Sequence, residues 1–470
     1  MELKLEEEII DKFDKRPENY EKSTEKQGYE FTQQTFDVTE QSDSTDRKPP
    51  AISAALMLMN NLVLSISFSI VIPTSDTYVK VLGGSEVLSG LIIGLPMITA
   101  LVTLYPMLLL SNPKSANGFT FYKRPYLCSC VTAILGHILY SLAFKAKSIA
   151  LILVSRIILG IACVMYLYHK KFMSDRILVG PKYRTFMSTL NIIMQTAGIA
   201  IGPFLGGLMA KASSHSHNAI WNQYTSGNWL LSFFWAALLI LSSIFYYDAD
   251  CDIPPVPPRT DAPHTNSETQ TAHRRPNLAS TIKIVVSGYI AFSCFFTMEA
   301  YQASIPIYTN YLYGYSPFQS GNFLALACLI DIPFLLLFSF LSRWIEDRKI
   351  TLIGIIITVV SVAVHLIVNK IHKEYLQLYF TLFTLVFFGT SIAFSPLVSL
   401  LTKQLHPDHH LLASVVIQIS IAAADTVGPV FGGAIRVITS QGFLATLLAL
   451  NTLTTIFMLS IWKTAKVKIG

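Results

Sequence analysis

The chain contains Gly198-Ile-Ala-Ile-Gly202-Pro203-Phe-Leu-Gly206-Gly207 in its first half and a near copy, Asp425-Thr-Val-Gly428-Pro429-Val-Phe-Gly432-Gly433, in its second half. In each stretch, small residues at helical spacing flank a Gly-Pro step and are followed by Gly-Gly. Small residues let helices approach closely, and proline removes a backbone hydrogen bond and kinks its helix. The repeat predicts two homologous helical bundles. The two stretches either only pack or also act as hinges, and in neither case do we expect them to bind a solute.

The composition predicts an integral membrane protein. Of 470 residues, 52% are hydrophobic and only 14% are charged, whereas soluble proteins carry about 25% charged residues. Residues 1–50 hold 14 of the 29 acids and have the makeup of a disordered, solvated tail. The remaining 420 residues have too few charges to cover a surface that faces water.

Twelve apolar runs are long enough to cross a bilayer, which takes about 20 residues. We number these predicted helical spans 1 to 12: residues 53–73, 87–110, 125–144, 148–169, 185–210, 229–247, 283–306, 318–341, 349–369, 375–399, 411–436 and 442–462. The longest break, residues 248–282, is rich in Pro, Thr, Asp and His and predicts a linker. We therefore expect a first bundle at 51–247, a second bundle at 283–463 and a short C-terminus at 464–470.

Basic residues predict the orientation of the spans. If the N-terminus is cytosolic, the cytosolic segments after residue 50 hold 19 Lys and Arg and the opposite loops hold 7. Because basic residues are retained in the cytosol, both termini and the linker are predicted to be cytosolic. An all-α membrane protein of two pseudo-symmetric six-helix bundles with a cytosolic central loop resembles the major facilitator fold.

A few charged residues fall within or beside apolar spans. Arg156, in span 4, begins Arg-Ile-Ile-Leu-Gly160, which resembles the superfamily's span-4 pattern. A guanidinium there costs several kcal/mol unless it finds a partner or water, so Arg156 is predicted either to serve proton coupling or anion contact, or to be structurally paired. Glu299, the only acid well inside span 7, is predicted either to exchange protons or to bond a neighbouring helix. Asp331 and Asp425 are weaker candidates for the same roles, and Asp331, which precedes Pro333, is alternatively predicted to cap a broken helix.

The loops and remaining motifs give fewer functional residues. Arg343-Trp-Ile-Glu346-Asp347-Arg348 joins spans 8 and 9 and resembles the superfamily's "motif A", which predicts a cytosolic latch; the alternative is anchoring by positive charge alone. The first-half copy is degenerate at Ser111-Asn112. His137 and His365 are predicted to be hydrogen bonders in the core. Without nucleotide-binding or HExxH motifs, we expect no enzyme activity, cofactor, ATP site, metal or nucleic-acid partner.

Several short stretches resemble one branch of the major facilitator superfamily, over most of residues 55–465. The branch comprises the SPX–MFS vacuolar phosphate transporters and, more distantly, the lysosomal major facilitator superfamily domain-containing protein 8. The stretches are Ser89-Gly-Leu-Ile-Ile-Gly94, Phe121-Tyr-Lys-Arg-Pro125, Gly136-His-Ile-Leu-Tyr140, Ser174-Asp175 with Arg184 and Ser188, Asn222-Gln-Tyr-Thr225-Ser-Gly-Asn-Trp229, Met298-Glu299, Phe323-Leu-Ala and Ile345-Glu-Asp-Arg348.

This resemblance implies transport of an inorganic or small organic anion across an endolysosomal or vacuolar membrane. No SPX domain is expected, since about 50 residues precede span 1. Lys170-Lys171 lies near the place where the branch's phosphate members carry paired arginines, and lysine meets phosphate only as a point charge.

The leading hypothesis is a secondary active transporter in which two bundles rock within the lipid bilayer around a small-molecule or ion substrate. Arg156 and Glu299 are expected to face the central cavity, and Lys170 and Lys171 its cytosolic mouth. Coupling to protons is part of this hypothesis. Two alternatives stay open, namely a channel-like chloride or phosphate pathway and a non-transporting sensor on the same fold.

Overall fold

The computed structural model describes residues 50–111, 121–175, 178–179, 181–248, 278–341, 345–371, 375–402, 404–405 and 409–463. Within these ranges the regular structure is helical: Ala51–Ser69, Ile72–Val81, Glu86–Ser111, Lys123–Ala146, Ile149–Cys163, Met165–Ser174, Pro181–Ala212, Ser226–Phe245, Leu278–Tyr313, Pro317–Leu341, Asp347–Lys370, Leu376–Phe394, Leu397–Thr402, His410–Gly433, Ile435–Ile438 and Ser440–Ser460. Twelve helical stretches are long and apolar enough to cross a membrane, which confirms the predicted number of spans. The predicted tail, most of the linker and the last seven residues lie outside the described residues.

Spans 1 and 4 are longer than predicted because each continues past a local break. Span 1 turns at Ile70 and Val71 and resumes as Ile72–Val81. Span 1 was predicted to end at Pro73, but it does not end there. Pro73 occupies the first turn of the new helix, where proline costs no hydrogen bond. Span 4 likewise turns at Val164 and continues to Ser174.

The prolines of the repeated motif do not interrupt their helices. Pro203 lies inside Pro181–Ala212, and Pro429 lies inside His410–Gly433. Each proline therefore lies within a continuous helix, and the predicted kink stays a prediction. Asp331 does not cap a broken helix either, since span 8 runs through Pro333.

Within each half, the repeated glycines let one pair of helices touch. A methyl group at Gly198 would lie 2.6 Å from the carbonyl oxygen of Leu62 in span 1. In the second half, a methyl group at Gly428 would lie 3.0 Å from the carbonyl oxygen of Phe296 in span 7. Spans 1 and 5 thus pair as spans 7 and 11 do, which is the pseudo-symmetry that the sequence repeat predicts.

Between the halves, two backbone contacts repeat the same symmetry. In the first, span 2 meets span 11, where a methyl group at Gly90 would lie 2.7 Å from the Pro429 carbonyl carbon. In the second, span 5 meets span 8, where a methyl group at Gly207 would lie 2.9 Å from the Pro317 carbonyl oxygen. We call these contacts the two glycine seams.

Both glycine seams lie towards one face of the helix bundle. We call it the far face; it carries the connections that follow odd-numbered spans, such as residues 82–85 and 314–316. The opposite, near face carries residue 50 and the described ends of the linker, residues 248 and 278. The halves therefore meet backbone to backbone on the far face.

Candidate functional site

Arg156 lies at the centre of the first half and joins three spans. Its side chain is 1% exposed. Nε donates a hydrogen bond to the carbonyl oxygen of Ile92 in span 2 at 2.7 Å, and Nη2 donates to that of Phe68 in span 1 at 3.4 Å. Two donors of the guanidinium are thus occupied by backbone carbonyl groups, so its observed contacts are structural.

Glu299 of span 7 and Asp425 of span 11 form a buried acidic pair in the second half. They are 5% and 7% exposed. Asp425 lies one turn before Gly428, whose added Cβ would be 3.0 Å from the Cβ of Glu299, and the two carboxyl groups interact electrostatically. One oxygen of each, Oε2 and Oδ1 respectively, has no hydrogen-bond partner among the described residues. Two acids close together in an apolar interior are costly as two negative charges.

Lys170 brings a basic side chain of the first half towards this pair. It lies beyond the break in span 4, its side chain is exposed, and its charge interacts with that of Asp425. One turn earlier, Tyr166 donates a hydrogen bond from its hydroxyl to Ser65 Oγ at 3.3 Å and lies within the electrostatic reach of Glu299 and Asp425. Charged groups of both halves therefore meet at the centre of the molecule.

The other two predicted site residues lie at the edge of this arrangement. Asp331 of span 8 is buried beside Ser391 of span 10. It is linked to the acidic pair through Cys328, which interacts electrostatically with both Asp331 and Glu299. Lys171 is exposed next to Lys170. Among these candidates, the bases belong to the first half and the acids to the second.

A network of ion pairs joins the halves on the far face. Lys80 Nζ lies 2.8 Å from a carboxylate oxygen of Asp76 and 2.8 Å from Glu86 Oε1, all in the first half. Arg436 of the second half reaches the same Glu86 oxygen at 2.7 Å and stacks over the ring of Tyr311 at 4.8 Å. This network was not predicted, because nothing in the sequence around Lys80 and Arg436 indicates that the two residues share one carboxylate.

Glu346 and Arg348 of the predicted latch lie on the near face and contact residues of the second half. Arg348 Nε donates to Glu346 Oε2 at 2.6 Å, and this hydrogen bond holds the pKa of Glu346 below its usual value. Arg348 also donates to the carbonyl oxygen of Trp462 at 3.0 Å, at the end of span 12. Asp347 begins span 9, and Arg343 lies outside the described residues.

A related contact occurs on the near face of the first half. Asp248, which follows span 6, accepts hydrogen bonds from the backbone N–H of Tyr122 at 2.9 Å and of Lys123 at 3.2 Å. Its carboxylate thereby satisfies two donors at the start of span 3, as a capping residue does. In each half, a residue that follows the last span is thus hydrogen-bonded to the start of the third span.

Buried histidines and asparagines tie helices together inside each half. His137 Nδ1 is hydrogen-bonded to Asn228 at 2.8 Å, and His365 Nδ1 to the hydroxyl of Tyr301 at 3.0 Å, so both bond within the core as predicted. His169 is hydrogen-bonded to Asn60 at 3.0 Å, a pair that we did not predict although Asn60 interrupts an apolar run. Among the described residues, no group of three His, Cys, Asp or Glu is arranged to hold a metal ion.

Comparisons with known proteins cover almost all of the membrane-spanning part. The family profile of the Major Facilitator Superfamily matches residues 57–429. An uncharacterized MFS-type transporter of Schizosaccharomyces pombe is 50% identical over 436 residues, which are 91% of this chain and 91% of that protein. An SPX domain-containing membrane protein of Arabidopsis thaliana is 23% identical over 380 residues, which are 72% of this chain and 53% of that protein.

A solved structure supports the fold alone. The crystal structure of a D-xylose-proton symporter is similar with a TM-score of 0.64 at 13% sequence identity. The likeness covers 86% of this chain and 96% of that one. At this identity it carries no information about what this chain binds.

Proposed function

Because the chain belongs to the Major Facilitator Superfamily and is an integral multi-pass membrane protein with a transporter fold, we propose that it moves a small anion by proton-coupled secondary transport. The observation that carries the proposal is the electrostatic interaction of Lys170 from the first half with Asp425 from the second, which in turn interacts with Glu299. Opposite charges carried by two halves can be separated and rejoined when the halves move.

The basic side chains favour an anion as the substrate. Arg156 already donates to two backbone carbonyl groups, which leaves the exposed Lys170 as the base best placed to meet a solute. A lysine ammonium is a compact point charge with three donors. It suits phosphate, chloride or a small carboxylate equally, so the substrate class is a small anion of any of these kinds.

The acidic pair supplies a route for coupling to protons. With a proton held by the pair, Asp425 attracts Lys170 less, and the lysine can bind an anion instead. Loss of the proton restores the attraction between Asp425 and Lys170 and expels the anion. Binding of the proton thus favours binding of the anion, and the reverse also holds. This is the linkage that symport requires.

Movement of the halves would expose this centre to each side of the membrane in turn. The far face is held together by the two glycine seams and by the pairing of Glu86 with Arg436. We propose that residues 51–247 and 283–463 move as two bodies that rock about the centre. In this conformation Lys170 would be reached from the near face.

We propose an endolysosomal or vacuolar membrane as the location, with both termini and the linker in the cytosol. The excess of basic residues in the near-face segments supports this orientation, and the resemblance to the vacuolar branch supports the compartment. Protease protection of tags at the two termini and in a far-face loop tests the orientation, because only the far-face tag should survive in sealed vesicles.

Uptake into reconstituted vesicles with an imposed pH gradient tests the function. Phosphate, chloride and small organic anions are screened first. Uptake of the substrate should saturate and collapse when the gradient is removed. Glu299→Gln and Asp425→Asn should abolish uptake driven by protons, whereas Lys170→Met should abolish binding of the anion itself. Lys145→Gln is the matched control, because Lys145 is an exposed lysine outside the central site.

The screen also separates the two alternative functions. A channel-like pathway would give large currents that do not saturate and that survive Glu299→Gln. A non-transporting sensor would give no uptake of any anion. If uptake occurs but none of the three central substitutions alters it, the assignment of the site is wrong.

A further inference from the structure

The second half contains a polar cavity that the proposed transport cycle does not use. It lies between spans 7, 9 and 12 near the far face and offers about 10 Å³ to the centre of a water molecule. Six of the residues that line it matter here: Tyr301, Ser304, Tyr308, His365, Ile435 and Ser440. Four of these residues carry hydroxyl groups, one carries an imidazole, and none carries a carboxylate.

Two hydrogen-bonded groups line the cavity. One is Tyr301 with His365 Nδ1, at 3.0 Å. The other is Asn369, whose Nδ2 donates to the Tyr308 hydroxyl at 2.7 Å and to Ser440 Oγ at 3.0 Å.

The second nitrogen of His365 is unusual. The ring is 3% exposed, and Nε2 has no hydrogen-bond partner among the described residues. Buried polar groups are nearly always hydrogen-bonded to protein or to ordered water. A cavity that contains such an atom and several hydroxyl groups meets the requirements of an internal water site, which are room for about one water molecule and two to four polar partners.

We propose that this cavity binds one water molecule, which bridges His365 Nε2 to the hydroxyl groups of Ser304 and Ser440. Water donates as well as accepts hydrogen bonds, so it can bond to Nε2 in either tautomer of His365. It would join the two hydrogen-bonded groups into one network. A cation is a poor occupant, since the lining has no acid to balance its charge.

The position of the site gives the water a structural role. Ile435 lines the cavity, and its neighbour Arg436 forms the ion pair with Glu86 across the halves. Ser440, at the other end of this segment, follows Thr439, whose φ of 71° is strained for a β-branched residue. The water therefore lies behind the short helix Ile435–Ile438 and helps to hold it against spans 7 and 9.

Radiolytic hydroxyl labelling of the intact protein tests the site, because buried aromatic rings are labelled when a water molecule is bound beside them. Tyr301 and Tyr308 should be labelled, whereas Tyr126 is a matched control that is equally buried away from this cavity. Ser304→Val fills the space and removes one partner of the water. In this variant, labelling of Tyr301 and Tyr308 should fall to the level of Tyr126.

A density map of the unsubstituted protein at a resolution that shows ordered water gives an independent measurement. One peak within hydrogen-bonding distance of His365 Nε2 is the expected result. Labelling of Tyr301 and Tyr308 at the level of Tyr126, unchanged labelling in folded Ser304→Val, or an empty map at Nε2 would each overturn the proposal. Neither experiment depends on which solute the protein carries.

Discussion

Replacing Gly90 by alanine tests whether the glycine seam between spans 2 and 11 holds the far face closed. The new methyl group would lie 2.7 Å from the carbonyl carbon of Pro429 and 2.8 Å from the Cα of Val430, and nearer still to the Pro429 oxygen. These are backbone atoms of the other half, so no side chain can rotate away. The alanine can be accommodated only if the two halves move apart.

The size of the effect follows from these distances. Ordinary contacts begin at 3.4 Å, so the carbonyl carbon alone requires the backbones to separate by about 0.7 Å, and the nearer carbonyl oxygen requires more. Overpacking of this kind costs about 1–3 kcal/mol. A cost of about 1–3 kcal/mol that acts on only one conformation changes the equilibrium by roughly 5- to 150-fold. If the wild type is closed by a similar margin, we therefore expect the far face to be open in about half of the Gly90→Ala molecules.

Double electron–electron resonance measures this opening directly. Spin labels are attached at Ser85→Cys and Ser316→Cys, which are exposed far-face positions in opposite halves, after the six native cysteines have been replaced. Gly90→Ala should move the population from the short to the longer distance between the labels. Labels on the near face should report the opposite change.

Gly354→Ala is the matched control for crowding. Its methyl group would lie 2.5 Å from the backbone nitrogen of Ala393, but both residues belong to the second half. This variant should be less stable while its distance distribution stays that of the wild type. The reasoning is refuted if Gly90→Ala leaves the distances unchanged, or if Gly354→Ala shifts them as much.

Further substitutions test three individual contacts. Arg436→Gln and Glu86→Gln should each shift the equilibrium towards the open far face by about 0.2–1 kcal/mol, measured in the same resonance experiment. The double variant should shift it little further than either single variant; full additivity of the two shifts would show that the residues act separately. Asp248→Ala should lower stability by about 0.5–2 kcal/mol in thermal unfolding, with Asp248→Asn restoring much of it, whereas equal losses would exclude capping. A lysine at position 156 cannot reach both carbonyl groups, so Arg156→Lys should lower the free energy of unfolding by about 1.5–3 kcal/mol. An unchanged melting temperature would contradict the bridging role of Arg156.

The membrane-spanning plan could be predicted from the sequence because a bilayer imposes a simple rule on each segment. Every span must supply about 20 apolar residues, and this can be read without knowledge of its neighbours. The repeat at Gly202 and Gly428 predicted two homologous bundles, but it did not say that span 1 pairs with span 5 and span 7 with span 11. The breaks at Ile70 and Val164 could not be predicted, because the residues at these turns are as apolar as those in the helices around them.

The contacts of the candidate site could not be predicted, because they join residues that are far apart in the sequence and no local pattern identifies such partners. Glu86 and Arg436 are 350 residues apart, and Arg156 reaches Ile92, which is 64 residues away. The partners of Arg156 are carbonyl groups, which every residue has, so no residue type identifies them. The latch at Arg348 was predicted from a motif, but the motif does not say that its partner would be the carbonyl of Trp462.

The glycine seams have a consequence for the speed of switching. An interface between two backbones has no rotamers to restrict, so closing it costs little of the side-chain entropy that is lost when long side chains become ordered. The barrier between conformations should then arise mainly from bending of the helices and from breaking of the Glu86–Arg436 pair. Substitutions that alter the lining of the centre could change what is carried while leaving the rate of switching almost as it was.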